Sequence, residues 1–253
     1  MNEAIRAGSR VAYFGGSFDP PHLGHLAVAR AARAALRLDA VLFAPVGAQP
    51  LKPHGATASF EDRVAMTKLA IAGEPGMILS LVDAPMRTGA PNYSVETLTR
   101  LRGELPADCA LYCMMGADSF LSLRRWRRAA EIPFLAPLIV ASRPGQRLDD
   151  LKAALPEDLS MEPAACAENH AAGIEMRCYS ISNAAGRRAP FYLLPDLDVE
   201  ISASQIRAQV RAGATETEER KLVPEAVAEY VRARSLYREE GNGGYGAGSR
   251  TEG

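Results

Sequence analysis

Arg10-Val11-Ala12-Tyr13-Phe14-Gly15-Gly16-Ser17-Phe18-Asp19-Pro20-Pro21-His22-Leu23-Gly24-His25 is the stretch from which the fold of this chain is read. A short apolar run ends at a double glycine, and an Ala-, Leu- and Arg-rich helical pattern follows over residues 23–38. Strand, glycine turn and helix in that order open a βα unit. Without side chains, Gly15 and Gly16 let backbone approach a phosphate, and the free amides and dipole of a helix opening near Gly24 favour an anion. Two of the chain's four histidines, His22 and His25, stand three residues apart at that helix start. An imidazole donates a hydrogen bond to a phosphate oxygen and, when protonated, offsets developing charge. Surface histidines on a tight turn would look the same. A metal pair is the other alternative, but no third ligand lies nearby.

Outward from this segment the βα alternation continues. Strand patterns are read at 40–45, 77–82, 109–115 and 135–142, and helices at 59–72 and 94–103. Ser59 caps the first of those helices, with Asp62 three residues on. This succession over about the first 145 residues predicts an α/β fold with a doubly wound parallel sheet and a ligand at the carboxyl ends of its strands. Residues 146–190 carry scattered Pro, Glu and Ala with weak periodicity and are read as a variable insertion. A strand returns at 190–194, and C-terminal helices are expected at 201–213 and 224–237. The Gly-rich stretch 239–253 cannot bury a core and is expected to be disordered, leaving a single domain over 1–238. No internal repeat is found.

Bulk properties narrow the function classes. The chain has 253 residues, 47% hydrophobic and 23% charged, with a formal net charge of −1. Nothing global draws it to nucleic acid or an anionic membrane, so a phosphate site must be built from local cations and amides. The N-terminus is charged without an apolar signal core, and no apolar run reaches the roughly 18 residues of a membrane span. A cytoplasmic location is expected. The four cysteines, Cys109, Cys113, Cys166 and Cys178, form no CxxC pair and are read as buried thiols in a reducing compartment. Homo-oligomer formation is left open.

Residues 16–25 resemble the GxFDPxHxGH pattern of the nucleotidylyltransferase superfamily, with Ser17 where Thr is common. Within it the chain is most similar to the bacterial nicotinate mononucleotide adenylyltransferases, which have a Rossmann-like fold. Ile201-Ser202-Ala203-Ser204-Gln205-Ile206-Arg207 resembles the superfamily's ISxTxIR segment. Gly116-Ala117-Asp118-Ser119 resembles its GxD segment, and Pro91-Asn92-Tyr93-Ser94-Val95-Glu96-Thr97-Leu98 the family's PSYTxxTL. Asn92 and Ser94 depart from that last pattern. The resemblance covers about residues 10–145 and 190–237.

What the resemblance implies is a set of roles. His22, His25, Lys52 and Arg207 would be the catalytic donors and cations, Lys52 lying in Pro50-Leu51-Lys52-Pro53-His54 with His54 a further basic group. ATP would be held by Gly15, Gly16, Ser17, Phe18, Gly24, Gly116, Asp118, Ile201, Ser202 and Ser204, the Asp118 carboxylate on a ribose. Nicotinate mononucleotide would meet Tyr93, Ser94, Thr97, Trp126 and Arg143, with the single tryptophan stacked on the ring. Mg²⁺ would accompany ATP with mostly water ligands, so no metal site of protein residues is expected. The partners implied are ATP and nicotinate mononucleotide, with no nucleic acid and no membrane. Other acceptors in the same chemistry are nicotinamide mononucleotide and phosphopantetheine. The remaining alternatives are a nucleotide sensor that has lost catalysis and a nucleic-acid role for Arg124, Arg125, Arg127 and Arg128.

Overall fold

Strand β1 (Arg10–Gly16) sends Val11 and Tyr13 to one side of a sheet and Ala12 and Phe14 to the other, and each pair is buried in a different core. A parallel strand covered by helices on both faces requires this. The remaining strands are β2 (Ala40–Pro45), β3 (Met77–Leu79), β4 (Ala110–Gly116), β5 (Leu138–Ala141), β6 (Leu159–Pro163), β7 (Arg177–Asn183) and β8 (Arg188–Leu194). They form one sheet in the order β3-β2-β1-β4-β5-β8-β7-β6. This computed structural model describes residues 5–51, 55–142, 148–166, 174–195, 197, 201–213, 215, 218 and 221–238. All strand pairs from β3 to β8 are parallel, and β7 and β6 are added antiparallel.

The doubly wound expectation is met, and the strand order reverses between β1 and β4. Helix α1 (Leu23–Leu36) lies on one face, where its small Ala29, Ala32 and Ala35 let it approach the sheet closely. Helix α3 (Ser94–Glu104) covers the other face through Val95, Leu98 and Leu101, beside the short α4 (Ala117–Phe120) and α5 (Ile132–Leu135) and near α6 (Leu148–Ala153). Helix α2 (Phe60–Ala70) begins as read from sequence, with the Ser59 hydroxyl accepting from the Asp62 amide at 3.0 Å. Its Met66 and Ala70 share a third core with α7 (Ala203–Arg211) and α8 (Glu225–Ala233), the C-terminal helices.

Three readings are corrected. The third strand stops at Leu79 rather than 82, because the chain leaves the sheet to turn Asp83 inward, where it is buried. The stretch 146–190 contains ordered elements, α6, β6, β7 and the start of β8, which widen the sheet. The cysteines divide: Cys109 and Cys113 are buried thiols, but Cys166 and Cys178 are joined in a disulfide. Beyond β6 the chain keeps running beside β7, where the Ala164 amide donates to the Cys178 carbonyl, so the two Cα atoms lie 5.2 Å apart. No helix among the described residues is long and apolar enough to cross a membrane.

Candidate active site

Reversal of strand order between β1 and β4 leaves a crevice outside their carboxyl ends, where an open α/β sheet binds ligands. A cavity of about 600 Å³ lies there, large enough for a nucleotide-sized ligand. Its wall brings together the Gly15–Phe18 turn, His22, His25, Tyr93, Ser94, Gly116, Asp118, Trp126, the 201–204 segment and Arg207, which are up to about 190 residues apart in the chain. Gly24 is buried and lines a smaller neighbouring pocket with His22 and His25. Thr97 is buried beneath the cavity rather than on its wall. Lys52, His54 and Arg143 lie outside the described residues.

The two histidines form one unit. Their rings stack at 3.7 Å, and the His22 amide at the start of α1 donates to His25 Nδ1 at 3.1 Å. Phe14 and Phe18 close on the His25 ring at 5.9 and 4.9 Å. Burial, and then the neighbouring His22, push the His25 pKa well below the usual histidine range. With Nδ1 accepting, a neutral His25 carries its proton on Nε2 and offers that N–H as a donor. His25 is thus a neutral donor near pH 7, not the cation allowed for in the sequence reading. Phe18 holds the left-handed conformation at φ 47°, costly for a residue with a side chain, and its buried ring between Phe14 and Phe43 fixes it there.

Asp19 carries much of the local architecture. Buried, it accepts from the Thr57 and Ala58 amides at 2.6 and 3.1 Å and from the Tyr237 hydroxyl at 2.8 Å. Arg207 on α7 donates to the Asp19 carbonyl at 2.8 Å and lies 3.9 Å from its carboxylate. Arg63 on α2 donates to the Ser17 carbonyl at 2.7 Å. The turn after β1 is therefore held from α2, from α7 and from Tyr237 just beyond α8. Ser202 caps α7, accepting from the Gln205 amide at 3.2 Å, and this sets Arg207 one turn in, beside the Ser204 hydroxyl.

Beneath the part of the cavity lined by Tyr93 and Ser94, a carboxylate unread in the sequence ties β1 to α3. Asp83 accepts from Tyr13 on β1 and from Thr97 on α3, both contacts being very short. Burial raises the Asp83 carboxyl and the Tyr13 hydroxyl, and pushes the neighbouring Cys113 thiol up to about 12. This network explains Gly15 differently from the phosphate argument, since a Cβ there would stand 2.1 Å from the Tyr13 hydroxyl oxygen. At Gly116 a Cβ would meet nothing within 4 Å, so that turn is open on the cavity side. Asn92 is buried and clamps two loops, accepting from the Ala48 amide at 3.0 Å and donating to the Ala84 carbonyl at 3.1 Å. At this wall Trp126 is held by its Nε1–H to the Ser122 hydroxyl at 3.0 Å, and Arg127 lies 4.7 Å over the Tyr93 ring.

Comparison with known proteins places the chain among relatives. The cytidylyltransferase-like family model matches residues 13–209. A Stenotrophomonas maltophilia protein named "Probable nicotinate-nucleotide adenylyltransferase" is 41% identical over 230 residues, 89% of this chain and 96% of the relative. A Gloeobacter violaceus protein of the same name is 38% identical over 230 residues, 91% of this chain and 97% of the relative. Among solved structures, Plasmodium falciparum nicotinic acid mononucleotide adenylyltransferase complexed with NaAD superposes with a TM-score of 0.64 at 14% identity, covering 90% and 97% of the two chains. At that identity the likeness speaks for the fold alone.

Proposed function

The chain belongs to the cytidylyltransferase-like family, and from that premise we propose that it is a nicotinate-nucleotide adenylyltransferase. It transfers AMP from ATP to nicotinate mononucleotide, giving deamido-NAD and pyrophosphate in NAD biosynthesis. The observation that carries this reading is one cavity with two unlike walls. A histidine pair and an arginine at the β1–α1 turn suit phosphates, and a tryptophan and a tyrosine beside the α3 N-terminus suit a flat ring. Relatives of at least 38% identity over most of both chains carry the same name.

The chemistry asks for alignment more than for a nucleophile. A 5′-phosphate oxygen of nicotinate mononucleotide forms a bond to the α-phosphorus of ATP as the bond to the bridging oxygen of pyrophosphate breaks in line. The attacking group is already an anion, so no serine or cysteine intermediate is needed. His25, with its Nε2–H, and His22 would donate to oxygens of the transferring phosphate. Arg207, fixed by Asp19 and Ser204, would offset charge on the leaving pyrophosphate. Lys52 is proposed as a further cation, and Gly116 and Asp118 as the ribose contacts. Tyr93, Ser94 and Trp126 would hold the pyridine ring, with Thr97 acting from below through Asp83.

Mg²⁺ would arrive with ATP. Among the described residues no cluster of three or more His, Cys, Asp or Glu could hold a metal ion. Asp19 and Asp83 are already engaged by amides and hydroxyls. A cation carried on the ATP phosphates with water ligands fits this donor set, and it would neutralise charge on the polyphosphate. The proposal extends to a cytoplasmic, single-domain enzyme in which residues 239–253 are not required. Incubation with ATP labelled at the α-phosphate and nicotinate mononucleotide tests the reaction. Label should appear in deamido-NAD in step with pyrophosphate; label recovered only as free AMP would contradict transfer.

A further inference from the structure

The loop after β2 is pinned residue by residue. The Val46 amide donates to the Gly16 carbonyl at 2.9 Å and the Gly47 amide to the Asp83 carbonyl at 2.8 Å. Ala48 is held twice by Asn92, its amide donating to the Asn92 side chain at 3.0 Å and its carbonyl accepting from the Asn92 amide at 2.9 Å. A Cβ at Gly47 would stand 2.6 Å from the backbone of Pro85, so the loop lies directly against that segment. Gln49 follows, half-buried on the cavity wall. Its Oε1 accepts from the Ser17 hydroxyl at 2.9 Å and so joins the loop to the turn after β1. Among the described residues its amide nitrogen has no hydrogen-bond partner.

A carboxamide has an accepting oxygen on one arm and two N–H donors on the other. With the oxygen committed to Ser17, a pair of neutral donors remains at the edge of the turn proposed for the phosphates. Arg207 meets that turn from α7, through the Asp19 carbonyl. Gln49 meets it from the loop that Asn92 holds, and Asn92 is followed by Tyr93 on the cavity wall. Its donors therefore stand between the turn and the wall proposed for the acceptor. The anion required there is the acceptor's 5′-phosphate. A neutral donor fixes a phosphate oxygen in line without supplying a full positive charge to oppose the one that makes it a nucleophile.

We infer that Gln49 binds the attacking 5′-phosphate of the acceptor through its amide N–H groups while its oxygen stays on Ser17. This rests on the AMP-transfer reading above. The test compares wild type with Gln49→Leu, which removes both arms of the amide, and Gln49→Glu, which keeps an oxygen for Ser17 and replaces only the donor nitrogen. KM and kcat are measured for nicotinate mononucleotide and for ATP, with thermal melting as the check on folding. Direct binding of nicotinate mononucleotide without ATP is measured in parallel. Gln49→Leu should lower kcat/KM for the acceptor by about 10- to 100-fold, the effect of losing one hydrogen bond to a charged group, and weaken acceptor binding with it. Gln49→Glu should lower both further, because its carboxylate repels the phosphate. The KM for ATP should stay near wild type in each. A tether to Ser17 alone would give the opposite order, with Gln49→Glu nearer to wild type than Gln49→Leu, and that order would overturn the inference. So would unchanged acceptor kinetics, or a KM that rises for ATP and not for the acceptor. Wild type that transfers no AMP to nicotinate mononucleotide would instead overturn the transfer reading.

Discussion

Tyr13 and Gly15 show how one residue's chemistry dictates another's identity. The tyrosine must fold over the glycine to reach Asp83, and a methyl group at position 15 would collide with its hydroxyl. Gly15→Ala should therefore cost about 1–3 kcal/mol as an overpacking change. In a Tyr13→Ala background it should cost little, a coupling that a double-mutant cycle by chemical denaturation would measure. Equal costs in both backgrounds would refute the explanation. His25 makes a second prediction at this scale. Burial lowers its pKa in the folded state, whereas in the unfolded chain it titrates near 6.5 (about the unperturbed value). Below that pH the unfolded state binds more protons, so stability is complete above about pH 6.5 and is lost as pH falls below it. Between pH 7.5 and 5.5 the wild-type Tm should fall further than that of His25→Gln; parallel falls would contradict the assigned shift. On activity, His25→Ala should keep the fold and lower kcat by about 10²- to 10³-fold, as removal of one transition-state donor does.

At the scale of elements, the C-terminal helices act on the site through single buried bonds. The Tyr237 hydroxyl reaches Asp19 across 218 positions, and Tyr230 and Arg234 reach Asp62 at the start of α2 at 2.9 and 3.3 Å. Tyr237→Phe removes one donor from a buried carboxylate and should destabilise by about 1–3 kcal/mol. Because Asp19 also positions Arg207, the variant should raise KM for ATP more than KM for the acceptor; the reverse order would argue against this tether. The elements around the site were legible because their signals are local: an apolar run before a double glycine, Ser59 ahead of Asp62, Ser202 ahead of α7. The bonds made by Asp19 and Asp83 were not, although Asp19 lies inside the first motif, because their partners lie 38 to 218 and 14 to 70 positions away. Strands β6 and β7 were missed for a different reason. They form an antiparallel pair at the sheet margin, β6 is five residues long with Glu and Pro in it, and only two of its positions are buried. That pairing also brings Cys166 to Cys178, which no cysteine spacing could announce.

Taken as a whole molecule, the fold is a sheet whose reversal between β1 and β4 gathers distant segments around one cavity. The first βα turn and α7 bring the groups proposed for the phosphates, and the α3 start and the segment after β4 bring those proposed for the ring. Nicotinate mononucleotide, with a phosphate at one end and a ring at the other, is the acceptor proposed to meet both walls. Phosphopantetheine would bring no ring to the proposed Trp126 slot. The most direct measurement follows pyrophosphate release from ATP and Mg²⁺ with nicotinate mononucleotide, nicotinamide mononucleotide and phosphopantetheine side by side. The account predicts the highest kcat/KM with nicotinate mononucleotide; equal or faster turnover with either alternative would contradict it.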